Sequence, residues 1–171
     1  PCQVAQAEHA PLARSAQAGV QSTWHGFTRY DFEVDGKPAM VIAPVQAAEG
    51  CPWLWHGEYF GTTPALDVAL LGRGYHIAYL SIPNLFGSPA AVKHWNSFYE
   101  HLTQQRGLST QPALMGLSRG GLYAYNWAAE NPERVACIYG DAQVCDLRSW
   151  PLGQGKGSGN SVEAERILKL F

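Results

Sequence analysis

The stretch that decides the fold is Pro112-Ala113-Leu114-Met115-Gly116-Leu117-Ser118-Arg119-Gly120-Gly121, which runs on into Leu122-Tyr123-Ala124-Tyr125-Asn126-Trp127. A compact apolar run bounded by proline reads as a buried strand. The residues from 119 to 131 read as a helix stopped before Pro132, because proline disfavours helical backbone in the residue ahead of it. Ser118 therefore stands at a strand-to-helix bend inside the pattern Gly-x-Ser-x-Gly. A bend that lifts a hydroxyl out of the sheet crowds its neighbours unless they lack a β-carbon, a need that Gly116 and Gly120 meet. Gly121 would further let the helix close on the adjacent strand. The bland alternative is that Ser118 only caps the helix. The bare pattern is weak; its place between a strand and a helix favours an exposed nucleophilic hydroxyl.

The same alternation extends outward. Residues 135–139 form another short apolar run, predicted to be a buried strand with Cys137 as a small core residue. Upstream, Ser88-Pro89 opens a helix with Trp95, Phe98, Tyr99 and Leu102 at helical spacing and Gly107 past its end. Residues 75–80 form a strand, and Pro64 opens a helix through Leu66, Ala69, Leu70 and Leu71. Pro52-Trp53-Leu54-Trp55-His56-Gly57 is a strand entering a glycine-bearing loop. Residues 28–34 alternate, Asp35-Gly36 turns, and Met40-Val41-Ile42-Ala43 resumes, which describes an antiparallel hairpin. A hairpin followed by repeated strand-helix units predicts the α/β class: a mainly parallel sheet with an N-terminal antiparallel hairpin and helices on both faces. Residues 1–22, mostly small or polar, read as a loose arm before a single domain over 23–171. Glycine at every second position from Gly153 to Gly159 reads as a loop, and Ser161 as the cap of a last helix.

The 171 residues suffice for one domain, and 46% apolar composition suffices for its core. A formal net charge of −2 without a basic block argues against a nucleic-acid partner. No run approaches the ~18 apolar residues of a membrane-spanning helix, which predicts a soluble protein. Four cysteines at no metal-like spacing permit disulfides without demanding them. The small-residue arm could follow an export signal; otherwise a cytoplasmic location is expected, and the compartment stays open.

On these motifs the chain resembles the α/β-hydrolase superfamily, nearest its esterase and prolyl-oligopeptidase-like branches, over roughly residues 24–140. Gly116-Leu-Ser-Arg-Gly-Gly looks like its nucleophile elbow after the fifth strand. His56-Gly57-Glu58-Tyr59-Phe60-Gly61, after the third, is similar to the His-Gly-x oxyanion loop, although it departs from the glycine-rich His-Gly-Gly-Gly form. The resemblance implies a serine hydrolase of carboxylic esters working through an acyl-enzyme on Ser118. Its oxyanion donors would be the backbone N–H groups of Arg119 and Glu58, with Tyr59 the alternative to Glu58. The substrate would be a small-molecule ester, with Trp55, Tyr59, Phe60 and Phe86 lining the pocket and no metal or organic cofactor.

The same resemblance places a catalytic acid and then a histidine after the serine. All six histidines precede Ser118, and only thirty-one residues follow Gly140. The remaining strands and helices would take roughly 80 to 100 residues, so the chain is expected to lack its C-terminal part and its catalytic histidine. His56 and Asp141 are the possible supporting residues. The competing readings are a noncatalytic binding or scaffold protein on the same fold, and a peptidase of the same superfamily.

Overall fold

The computed structural model describes residues 19–171. Seven strands form one sheet: β1 (Val20–Trp24), β2 (Phe27–Val34), β3 (Lys37–Ala43), β4 (Trp53–His56), β5 (His76–Leu80), β6 (Ala113–Leu117) and β7 (Cys137–Asp141). Their spatial order is β1-β2-β3-β5-β4-β6-β7. The first three pair antiparallel, β3 pairs antiparallel with β5, and β5, β4, β6 and β7 run parallel. This is the α/β architecture expected, with one strand more than the sequence suggested. β1 occupies Val20 to Ser22 as well as Trp24, so the end of the expected loose arm belongs to the sheet. Residues 1–18 of that arm lie outside the described residues. With β1 counted, His56 ends the fourth strand and Ser118 follows the sixth.

Helices cover both faces. On one, α1 (Pro64–Leu71) packs Leu66, Leu70 and Leu71 against Met40, Ile42, Leu54, Ile77 and Met115. On the other, α2 (Pro89–Glu100) and α3 (Gly120–Glu130) enclose a larger core in which Trp53, Trp55, Trp95 and Trp127 are all buried. Trp55 stacks on Trp95 at 4.0 Å between ring centroids, and Trp127 meets it edge-on at 5.0 Å. Each such aromatic pair adds about 1 kcal/mol beyond the area it buries. Trp55 is therefore a core residue and not the pocket wall expected of it. Phe60 is likewise committed to packing, against Trp24 and Tyr79.

Local chemistry explains the helix boundaries. Ala91 N–H donates to Ser88 Oγ at the start of α2, and the helix closes in a π-helical turn over His101–Gln105. The last helix, α4 (Ser161–Ile167), is capped by Asn160 and not by Ser161: Glu163 N–H donates to Asn160 Oδ1 at 3.1 Å. Among the described residues no helix is long and apolar enough to cross a membrane.

β7 departs from expectation in its surroundings. It pairs with β6 alone, and Cys137 is exposed. The apolar composition of this strand is met on one side by β6 and α3, while its outer edge has no partner strand among the described residues.

Candidate active site

The loops at the carboxyl ends of the four parallel strands converge, and each holds a non-glycine residue in the left-handed region: Tyr59 (φ 56°) after β4, Asn84 and Phe86 (62° and 49°) after β5, Ser118 (49°) after β6 and Ala142 (44°) after β7. Such backbone costs of order 1–3 kcal/mol per residue and persists only where the surroundings enforce it. At Ser118 the enforcement is visible. Its N–H donates to the Asp141 carbonyl (3.0 Å), and its carbonyl accepts from the N–H groups of Gly121 (3.1 Å) and Val144 (2.7 Å). The glycines act by close approach. A β-carbon on Gly116 would lie 2.8 Å from Gly121 Cα, and one on Gly121 would lie 2.5 Å from the Val144 carbonyl oxygen. Gly121 thus lets the helix pack against the loop after β7, where the sequence reading had placed an adjacent strand.

The 57–63 loop presses on the same turn. A β-carbon on Gly57 would overlap the Gly120 carbonyl oxygen and lie 3.0 Å from its carbon; one on Gly120 would lie 3.0 Å from Glu58 N. This contact brings the Glu58 amide, in preference to that of Tyr59, against the start of α3. Among the described residues no acceptor takes the N–H of Glu58 or of Arg119, and the Ser118 hydroxyl makes no hydrogen bond.

The side chains of the two candidate donors meet each other. Arg119 Nε donates to Glu58 Oε2 at 2.7 Å, and the guanidinium lies 5.2 Å from the Phe86 ring centroid and 5.6 Å from that of Tyr59. Glu163 of α4 stands 3.7 Å away. Burial pushes the Glu58 carboxyl above its usual value despite the pull of Arg119. For Arg119 burial works the other way, but Glu58, Tyr59 and Glu163 outweigh it and hold the guanidinium above its ordinary value. Depth sets the Glu58 direction, its side chain being 6% exposed, and neighbouring charge sets that of Arg119, at 19%.

A tyrosine on α3 fixes the neighbouring loop. Tyr123 Oη accepts from the N–H groups of Leu85 and Phe86 (3.0 Å each) and donates to the Ile82 carbonyl (2.9 Å). Burial raises its pKa.

His56 and Asp141, the expected supporting residues, meet the site at the loop root and through a backbone carbonyl, and neither side chain hydrogen-bonds Ser118 among the described residues. His56 is buried on the α1 face, its Nε2 bonded to Asp67 Oδ1 at 2.8 Å, so it anchors the root of the 57–63 loop. Asp141 contributes its backbone carbonyl to the Ser118 turn. Of the other described histidines, His101 accepts from Arg106 Nε (3.0 Å) and His76 lies buried at the start of β5. Among the described residues no histidine hydrogen-bonds Ser118. The Glu58–Arg119 and His56–Asp67 links escaped sequence reading because the partners are 61 and 11 residues apart and share no motif.

Strand order, helix placement and the serine at the bend define an α/β-hydrolase fold. Solved structures carry the likeness. A cold-adapted esterase from an Arctic intertidal metagenomic library aligns at a TM-score of 0.51 and 19% identity, over 67% of this chain and 57% of its own. The epoxide hydrolase VrEH1 of Vigna radiata aligns at 0.50 and 15%, over 70% and 39%. The 2,6-dihydroxy-pseudo-oxynicotine hydrolase aligns at 0.50 and 23%, over 63% and 34%. The chain thus spans between a third and somewhat over half of these proteins' lengths. No protein-family model and no curated protein matches the sequence.

Proposed function

We propose that the chain is the N-terminal part of a serine hydrolase that cleaves carboxylic esters through an acyl-enzyme on Ser118. The observation that supports this reading is a left-handed Ser118, its hydroxyl free, beside the unengaged N–H groups of Arg119 and Glu58. Ser118 Oγ would add to the ester carbonyl carbon while its proton passes to a general base. The negative charge developing on the carbonyl oxygen would fall to the two amides, each worth roughly 2.7 to 4 kcal/mol of barrier. The ester C–O bond then breaks, the alcohol leaves with that proton, and water hydrolyses the acyl-serine by the same steps in reverse roles. Tyr59, 37% exposed, is the aromatic side chain of this rim open to a substrate. The base is expected from polypeptide beyond residue 171, because no histidine among the described residues hydrogen-bonds Ser118. A peptidase would use the same atoms on an amide.

The test is labelling of the full-length protein with a fluorophosphonate, read by mass spectrometry. Modification should fall on Ser118, and Ser118→Ala should abolish both labelling and ester turnover; labelling that survives in the variant would remove Ser118 from the role. The 171-residue chain alone should show little turnover. A noncatalytic binding protein is the second reading, favoured by the absence of any histidine bonded to Ser118 among the described residues. A reading frame that continues to an acidic strand end and a later histidine argues for the hydrolase, and a stop codon after Phe171 for the binder.

A further inference from the structure

The inference rests on the hydrolase reading of the same site and concerns what sets the distance between its two amide donors. We propose that the Glu58–Arg119 ion pair is a positioning device for the oxyanion hole: the residues that offer the two N–H groups also tie themselves together through their side chains. Where the 57–63 loop meets the turn, Gly57 faces Gly120, and two glycines have no side chains to interlock. Their close backbone contact and the bond from Gly57 N–H to the Met115 carbonyl (2.9 Å) hold the root of the loop, and a side-chain link extends that hold to the residue that follows. The bond from Arg119 Nε to Glu58 Oε2 is the one side-chain hydrogen bond between that loop and the turn among the described residues. It is held from several directions. The Asn84 backbone faces the Glu58 carboxylate and favours its charged form, while Tyr59 and Phe86 flank the guanidinium. A charge-assisted bond of this length is stiff and directional, as a spacer requires. Arg119 is correspondingly ill-suited to receive a substrate anion, because Glu58 and Glu163 already face its guanidinium.

The experiment has two arms. In the active full-length protein, Glu58→Gln and Arg119→Met should each lower kcat at least tenfold with KM held within twofold, and Arg119→Lys should recover part of the loss. That pattern marks an interaction realised in the transition state. A raised KM with unchanged kcat would overturn the proposal by placing Arg119 on the substrate, and unchanged kinetics would overturn it outright. In the full-length protein, amide hydrogen exchange at Gly57 and Gly121, the hydrogen-bonded N–H groups beside the two donors, should accelerate at least tenfold in Arg119→Met, while Ile77 and Leu114 in the core strands keep their rates. Should Arg119→Met fail to fold, the near-isosteric Glu58→Gln provides the same readout. Unaltered exchange at both amides refutes the spacer role. A wild-type protein that ignores fluorophosphonate yet shows this exchange response would fail as a hydrolase and still confirm the link.

Discussion

Acidification should destabilise this fold through one buried imidazole. His76 begins β5 at 1% exposure, its Nδ1 is 3.4 Å from the Pro52 carbonyl oxygen, and its Nε2 has no partner among the described residues. Burial lowers its pKa from the ordinary 6.5 to about 4, with the Pro52 carbonyl opposing weakly. The folded pKa lies below the unfolded one, so as pH falls the unfolded chain takes up the proton first. The contribution of His76 to stability is whole above about pH 6.5 and drains away as pH falls from there through about 4. The gap corresponds to about 3 kcal/mol in full, of which about 2.5 kcal/mol is lost by pH 4.5. Urea unfolding followed by tryptophan fluorescence at pH 7.5, 6.0, 5.0 and 4.5, on the wild type and His76→Leu, isolates the effect, because every other titrating group is common to both. At pH 7.5 the variant should match the wild type within about 1 kcal/mol, since it removes a buried nitrogen that has no partner. At pH 4.5 it should be the more stable of the two by about 2 kcal/mol. Parallel loss of stability in both proteins would refute the reasoning.

Tyr123→Phe should cost about 2–4 kcal/mol in urea unfolding, because it removes three hydrogen bonds and strands the N–H groups of Leu85 and Phe86. Gly57→Ala should destabilise by roughly 1–3 kcal/mol and more than Gly120→Ala, whose β-carbon at 3.0 Å needs only a small displacement of Glu58 N; paired thermal melts rank them. Asp67→Ala should cost about 1–3 kcal/mol by leaving the buried His56 ring without its partner, and a smaller loss in Asp67→Asn, which keeps an acceptor, would support that cause.

The elements nearest Ser118 could be read from sequence because their signals are local. Pro64, Ser88-Pro89 and Pro132 punctuate the helices, and short apolar runs between them leave no option but strands. β1 escaped because Val20–Trp24 is exposed over its first four residues and shows no alternation. A signal was there: His25 (φ 47°) and Gly26 (φ 85°) are the two left-handed residues of a tight hairpin turn, and x-Gly dipeptides favour that geometry. Cys137 was misjudged for a different reason. Its neighbours are apolar, but burial depends on what lies beside the strand, which no window of sequence reports. The ion pair between Glu58 and Arg119 was illegible for the same reason, although both positions were singled out for their backbone amides.

The peptide nitrogen of Ser118 is fastened to Asp141, the final residue of a strand that, among the described residues, has a neighbour on one flank only. The bend that carries the hydroxyl is therefore moored to a ribbon at the margin of the sheet. Whatever docks along that ribbon would stiffen the corner from a distance, and whatever frays it would let the serine relax toward ordinary backbone.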